Sequence, residues 1–131
     1  MDLSRLQDIA QRHGIQLLLQ FGSTVTGHAR PDSDLDLAVL VERAPMTLSH
    51  HADLDADLQS IAPDRRVDVS LINRADPLFL NRIVEHCTVL YGSARRLHEL
   101  RMYAFKRYQD HRRYLAMERD YVARTVRSAT R

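Results

Sequence analysis

The sequence holds a single cysteine, Cys87, which cannot close an internal disulfide and fits a reducing cytoplasm. No apolar run approaches the roughly 18 residues that a membrane span needs. The opening residues, MDLSRLQDIAQRHG, carry acids in an amphipathic pattern, so no signal peptide is read there. The seven histidines lack metal-ligand spacing, with His50 and His51 adjacent and the others scattered; a structural zinc site is not expected. Aromatic residues make up only 6%, few stacking platforms for a nucleic-acid binder. There is no internal repeat, low-complexity segment or linker, and 131 residues suffice for one domain with a real core. The expected division is an α/β core over 1–92 and a helical tail over 93–131.

The formal charge of +2 conceals an asymmetry. Residues 1–92 carry 8 basic and 13 acidic side chains, and residues 93–131 carry 11 and 4. A basic tail can meet nucleic acid or an acidic partner, or it can be the solvated face of a helix.

Periodicity predicts a helix over Asp2–His13, where Leu3, Leu6, Ile9 and Ala10 share a face and Gly14 stands as a C-cap. Strands follow at Ile15–Phe21 and Leu35–Val41, separated by a short helix near Thr24–Gly27. A surface helix over Thr47–Ile61 leads to a third strand, Val67–Ile72. Asp76-Pro77 reads as an N-cap and first helical proline, opening a helix to about His86 before a fourth strand, Thr88–Tyr91. From Ser93 the pattern is one long helix. Leu97, Leu100, Ala104, Tyr108, His111, Leu115, Val122 and Val126 define one stripe, and Tyr103, Tyr114 and Tyr121 a second. The order is a small α/β fold with a mixed sheet of about four strands and a helical tail.

Chemistry concentrates between Phe21 and Val41, FGSTVTGHARPDSDLDLAVLV. Asp34 and Asp36 alternate with Leu35 and Leu37, so on a strand both carboxylates face one side. Neighbouring carboxylates repel and raise each other's pKa unless a cation joins them, and Mg²⁺ favours such oxygen ligands together with phosphate and water. Otherwise Asp34 caps the strand and Asp36 faces solvent. Gly22-Ser23 sits between a strand and a short helix, where free N–H groups attract phosphate; no lysine follows, so it is not a Walker A loop, and it could be an ordinary turn. Asp68 lies inside an apolar strand, where an unpaired carboxylate is rare. A cation shared with Asp34 and Asp36 would satisfy it, as would a salt bridge to Arg65 or Arg66. Cys87 is expected to be a packed core residue.

Gly22-Ser23, ten intervening residues, Asp34-Leu35-Asp36 and a later Asp68 resemble the nucleotidyltransferase superfamily that includes DNA polymerase beta. The short length and the wording GSTVTGHARPDSDLDL resemble its minimal branch, the MNT-type antitoxins found beside HEPN-domain toxins. The resemblance covers Ile15 to about Tyr91 by motif and the tail more loosely. It implies that Gly22 and Ser23 hold the phosphates of ATP. It also implies that Asp34, Asp36 and Asp68 bind Mg²⁺, two ions in the usual arrangement, with Asp68 helping to activate the attacking hydroxyl. AMP would pass to a tyrosine of the HEPN toxin and silence it. Arg30 and Ser33 are candidates for phosphate contacts, or a surface arginine and a turn cap. A HEPN toxin's own motif, an arginine followed by a histidine with four to six residues between them, is absent: Arg101 and Arg107 precede His111 by nine and three intervening residues. The tyrosine face of the tail is a partner surface or packs on the chain's own sheet. Competing expectations are an antitoxin that neutralises by binding alone and a small-molecule nucleotidyltransferase, for which 131 residues offer little room to hold an acceptor.

Overall fold

The structure, a computed structural model, describes residues 1–27, 33–42 and 46–129. The element order is α1 (Leu6–His13), β1 (Ile15–Phe21), α2 (Ser23–Thr26), β2 (Leu35–Val41), α3 (Leu48–Gln59), β3 (Val67–Leu71), a 3₁₀ turn (Ile72–Arg74), α4 (Pro77–Glu85), β4 (Cys87–Tyr91) and α5 (Ala94–Ala129). The sheet order is β3-β2-β1-β4. β1 pairs antiparallel with β2 and β4, while β2 and β3 run parallel, which gives the expected mixed sheet.

Side-chain alternation along the strands builds two cores. Leu35, Leu37, Val39 and Val41 of β2 join Ile15 and Leu18 of β1 against α1 and α3. Leu17 and Leu19 of β1 and Ala38 of β2 face the other way, against Leu80, Ile83 and Val84 of α4 and Leu97, Leu100 and Ala104 of α5. Even-numbered residues of β2 therefore face the α4–α5 layer, and Asp36 is one of them.

Local chemistry sets the boundaries. Gly14 ends α1 in the left-handed region (φ 63°), its N–H donating to Ala10 O. The Thr47 side chain accepts from His50 N at 3.1 Å. Asp76 Oδ1 accepts from Phe79 N at 2.8 Å with Pro77 in the first turn, as the sequence leads one to expect. The Gln59 side chain accepts from Val67 N at 3.0 Å and donates to Arg65 O at 2.7 Å, pinning the start of β3. Several boundaries differ from expectation, α3 among them, which ends at Gln59 and not Ile61. α1 begins at Leu6, leaving Leu3 exposed, because the Asp2 carboxylate accepts from Ser4 N at 2.9 Å and holds a turn there. β3 gives way to the 3₁₀ turn at Ile72. β4 begins one residue early, at Cys87, a partly buried residue packed against the α4–α5 core.

The largest departure is in α5. Its stripe is buried only as far as Ala104; Leu115, Val122 and Val126 are exposed, as are Tyr103, Tyr114 and Tyr121. A helix of 36 residues, about 54 Å at 1.5 Å per residue, outruns the sheet that it packs on. The tyrosine face does not lie on the chain's own sheet. No helix among the described residues is long and apolar enough to cross a membrane.

Candidate active site

Strand register draws the acids together. Phe21, the last residue of β1, stands opposite Asp36 of β2, and Asp36 stands opposite Asp68 of β3. The same alternation that buries Val67, Val69 and Leu71 on the α1–α3 side turns Asp68 and Ser70 to the face that carries Asp36.

The turn after β1 fits this row. Gly22 adopts φ 81°, and a Cβ there would collide with the Asp36 carboxylate. Only glycine lets the chain pass so close to the acid at that dihedral. Val25 N and Thr26 N donate back to Gly22 O at 3.1 and 3.2 Å, and Thr24 Oγ1 donates to Phe21 O at 3.4 Å. α2 is a single turn of four residues, so its dipole is small. Attraction for an anion there rests on the unpaired first N–H groups of the turn, which no intrahelical carbonyl can reach.

Electrostatics mark Asp36 as the strained member. Burial pushes its pKa up, and the neighbouring charges of Asp68 and then Asp34 push in the same direction. Among the described residues, no salt bridge reaches any of the three acids. The burial expected of Asp68 is corrected: it is exposed, because β3 is the edge of the sheet and an edge strand leaves polar side chains in solvent. Asp34 is also exposed and stands one residue ahead of β2, near enough for its charge to be felt at Asp36. Ser33 is half-buried just before it, and Arg30 lies outside the described residues.

A cavity of about 540 Å³ opens at this end of the sheet, lined by Gly22, Ser23, Asp36 and Asp68. Its volume lies within the range of small-ligand sites. Among the described residues, no three His, Cys, Asp or Glu side chains form a ready-made metal cage. The donor set nevertheless fits Mg²⁺, because carboxylates without a counter-ion are hard oxygen ligands, and that ion keeps water and substrate phosphate in its shell instead of needing an all-protein cage.

Residues 4–96 match the family described as "Polymerase beta, Nucleotidyltransferase". The chain belongs to this nucleotidyltransferase family. Comparison with curated proteins finds no match. Among solved structures, a toxin–antitoxin crystallised with AMP-PNP superposes with TM-score 0.73 at 23% identity, over 96% of this chain and 98% of the other. The tri-AMPylated HEPN toxin of Shewanella oneidensis in complex with its MNT antitoxin gives TM-score 0.66 at 21% identity, over 95% and 94%. A chain provisionally described as a minimal nucleotidyltransferase is 33% identical, with TM-score 0.53 over 67% of this chain and 95% of its own.

In this nucleotidyltransferase, one wall of the cavity was not foreseen from the sequence. Phe79, Arg82, Glu85 and His86 line it from α4 and its C-terminal end, with Phe79 edge-on to Phe21 at 5.9 Å between ring centroids. The signal was present in the spacing. Phe79, Arg82 and His86 recur at three and four residues on the flank opposite Leu80, Ile83 and Val84. Recognising it required knowing that α4 packs over the even-numbered face of the sheet.

Proposed function

We propose that this chain is a cytoplasmic, Mg²⁺-dependent protein adenylyltransferase that moves AMP from ATP to a tyrosine of a HEPN-domain toxin and acts as its antitoxin. The observation that carries this reading is the Gly22 turn seated on Asp36 beside Asp68 in register. The chain would form a single nucleotidyltransferase domain, 1–92 supplying the catalytic core and 93–131 the tail. The toxin–antitoxin neighbours, one with AMP-PNP and one with an AMPylated toxin, support the choice of nucleotide and acceptor.

In the reaction as proposed, Gly22 and Ser23 hold the phosphates, with the α-phosphorus before the acids. The tyrosine Oη attacks that phosphorus, the Oη–P bond forms, the bond to the bridging oxygen breaks, and pyrophosphate leaves. Asp68, open to solvent and to an incoming side chain, takes the phenolic proton. Asp34, Asp36 and Asp68 would hold Mg²⁺, which when bound neutralises charge on the phosphates. The carboxylate repulsion seen at Asp36 favours that cation.

The experiment uses the chain purified with the product of its neighbouring gene. With ATP and Mg²⁺, intact mass should show AMP added to the neighbour by wild type and none by the Asp34→Ala, Asp36→Ala double variant. The exposed tyrosine face of α5 favours a second reading, neutralisation by contact alone. Neutralisation by the double variant without a mass change would establish it and discard the enzymatic one.

A further inference from the structure

The Gly-Ser turn has no lysine to meet a polyphosphate, yet the α4 wall of the same cavity carries an arginine. Arg82 lines the same cavity as Gly22, Ser23, Asp36 and Asp68. It makes no hydrogen bond or ion pair among the described residues, even though Glu85 stands one turn along the same helix and lines the same cavity. His86 is the other basic lining residue; of the two, Arg82 is the one whose charge is permanent, in a cavity with three acids on its walls.

Its position is well held. Asp76 caps α4 and Pro77 opens it. Leu80 and Ile83 are fully buried on either side of the arginine in sequence. Arg101 of α5 donates through Nε to Val84 O at 3.1 Å, fastening the end of the helix. A permanent cation on a fixed helix here shares a cavity with acids but makes no direct ion pair with them among the described residues. It is well placed for an anion that arrives with its own metal.

We propose that Arg82 is a phosphate-binding residue of this site, gripping the polyphosphate of the nucleoside triphosphate from the α4 side while Gly22 and Ser23 hold it from the other. The proposal rests on the nucleotidyltransferase reading above. The guanidinium presents planar, paired N–H donors that suit phosphate oxygens, and it neutralises charge that the acids would otherwise repel. Because Arg82 is exposed, its loss should leave the fold intact.

Calorimetric titration of the full chain with ATP and with AMP, each with Mg²⁺, tests it. Wild type should bind ATP more tightly than AMP. Arg82→Ala and Arg82→Gln should each weaken ATP by about tenfold, the low end for charge-assisted hydrogen bonds, and leave AMP within about twofold. Arg82→Lys should fall between, because it keeps the charge and loses the fork. Melting temperatures matching wild type confirm that the variants fold. Unchanged ATP affinity in both Arg82→Ala and Arg82→Gln, against a wild type that prefers ATP, overturns the assignment of Arg82 alone. A wild type that binds neither nucleotide overturns the nucleotide reading, and this proposal with it.

Discussion

Two partly covered aspartates, Asp57 and Asp36, show opposite uses of the same side chain. Asp57 of α3 receives His13 Nε2 at 2.6 Å and Arg12 Nη1 at 3.2 Å, joining α3 to the end of α1. The His13 hydrogen bond is the main cause that holds its pKa below the usual value, ahead of the contribution from Arg12. Asp36 has acids for neighbours and a glycine turn against it, and burial first, then the charges of Asp68 and Asp34, move its pKa up. One carboxylate closes a local network; the other is left short of a partner by the strand register itself. Under the proposed function, that deficit is what a bound cation would fill.

Breaking the glycine contact should have the largest effect. Gly22→Ala puts a Cβ into the Asp36 carboxylate at a positive φ, and under the proposed function the displaced carboxylate should lower AMP transfer by about 100-fold. The fold itself should lose about 1–3 kcal/mol, read by denaturant unfolding.

Next comes Asp57→Ala, which leaves the nearly buried His13 side chain without its acceptor and should cost about 1–3 kcal/mol while ATP affinity stays unchanged. Its pH dependence sharpens the contrast. A carboxyl whose folded pKa is depressed contributes stability above its unfolded value, here 3.8, and loses it as pH falls through the folded value. Wild type should therefore lose stability more steeply than Asp57→Ala on acidification below about pH 4.

The smallest change has the opposite sign. Asp36→Asn removes a like-charge pair across β2 and β3 and should stabilise the metal-free protein by up to about 1 kcal/mol. Adding Mg²⁺ with ATP should raise the melting temperature of wild type and not that of Asp36→Asn.

Much of this geometry is legible in the chain because it is local. Asp76-Pro77 and Thr47 announce helix starts, and Gly14 a helix end, through short-range hydrogen bonds. Alternation along β2 separates Asp36 from its leucines, and the spacing leads back to Gly22-Ser23, the turn that packs against it. Non-local facts escape. Asp68 appears buried by its apolar neighbours and is exposed because β3 lies at the edge of the sheet, which only the strand order determines. The stripe of α5 promises packing to Val126, but burial ends at Ala104, where the underlying layer runs out. Arg82 attracts no notice in a helix whose periodicity is explained by Leu80, Ile83 and Val84, until the opposite flank is seen to line the cavity.

The outreach of α5 has a thermodynamic consequence. Beyond Arg107, whose Nη1 donates to Ala75 O at 3.3 Å, no described residue of the helix is buried, so its outer turns draw stability from local terms: the contact of Arg112 over Tyr108 and intrinsic propensity. A helical segment of that kind is marginal in water and should open many times for each global unfolding of the sheet. For any partner that grips these turns, helix order and affinity become a single equilibrium. A propensity-raising change such as Thr125→Ala would then tighten docking without adding a contact.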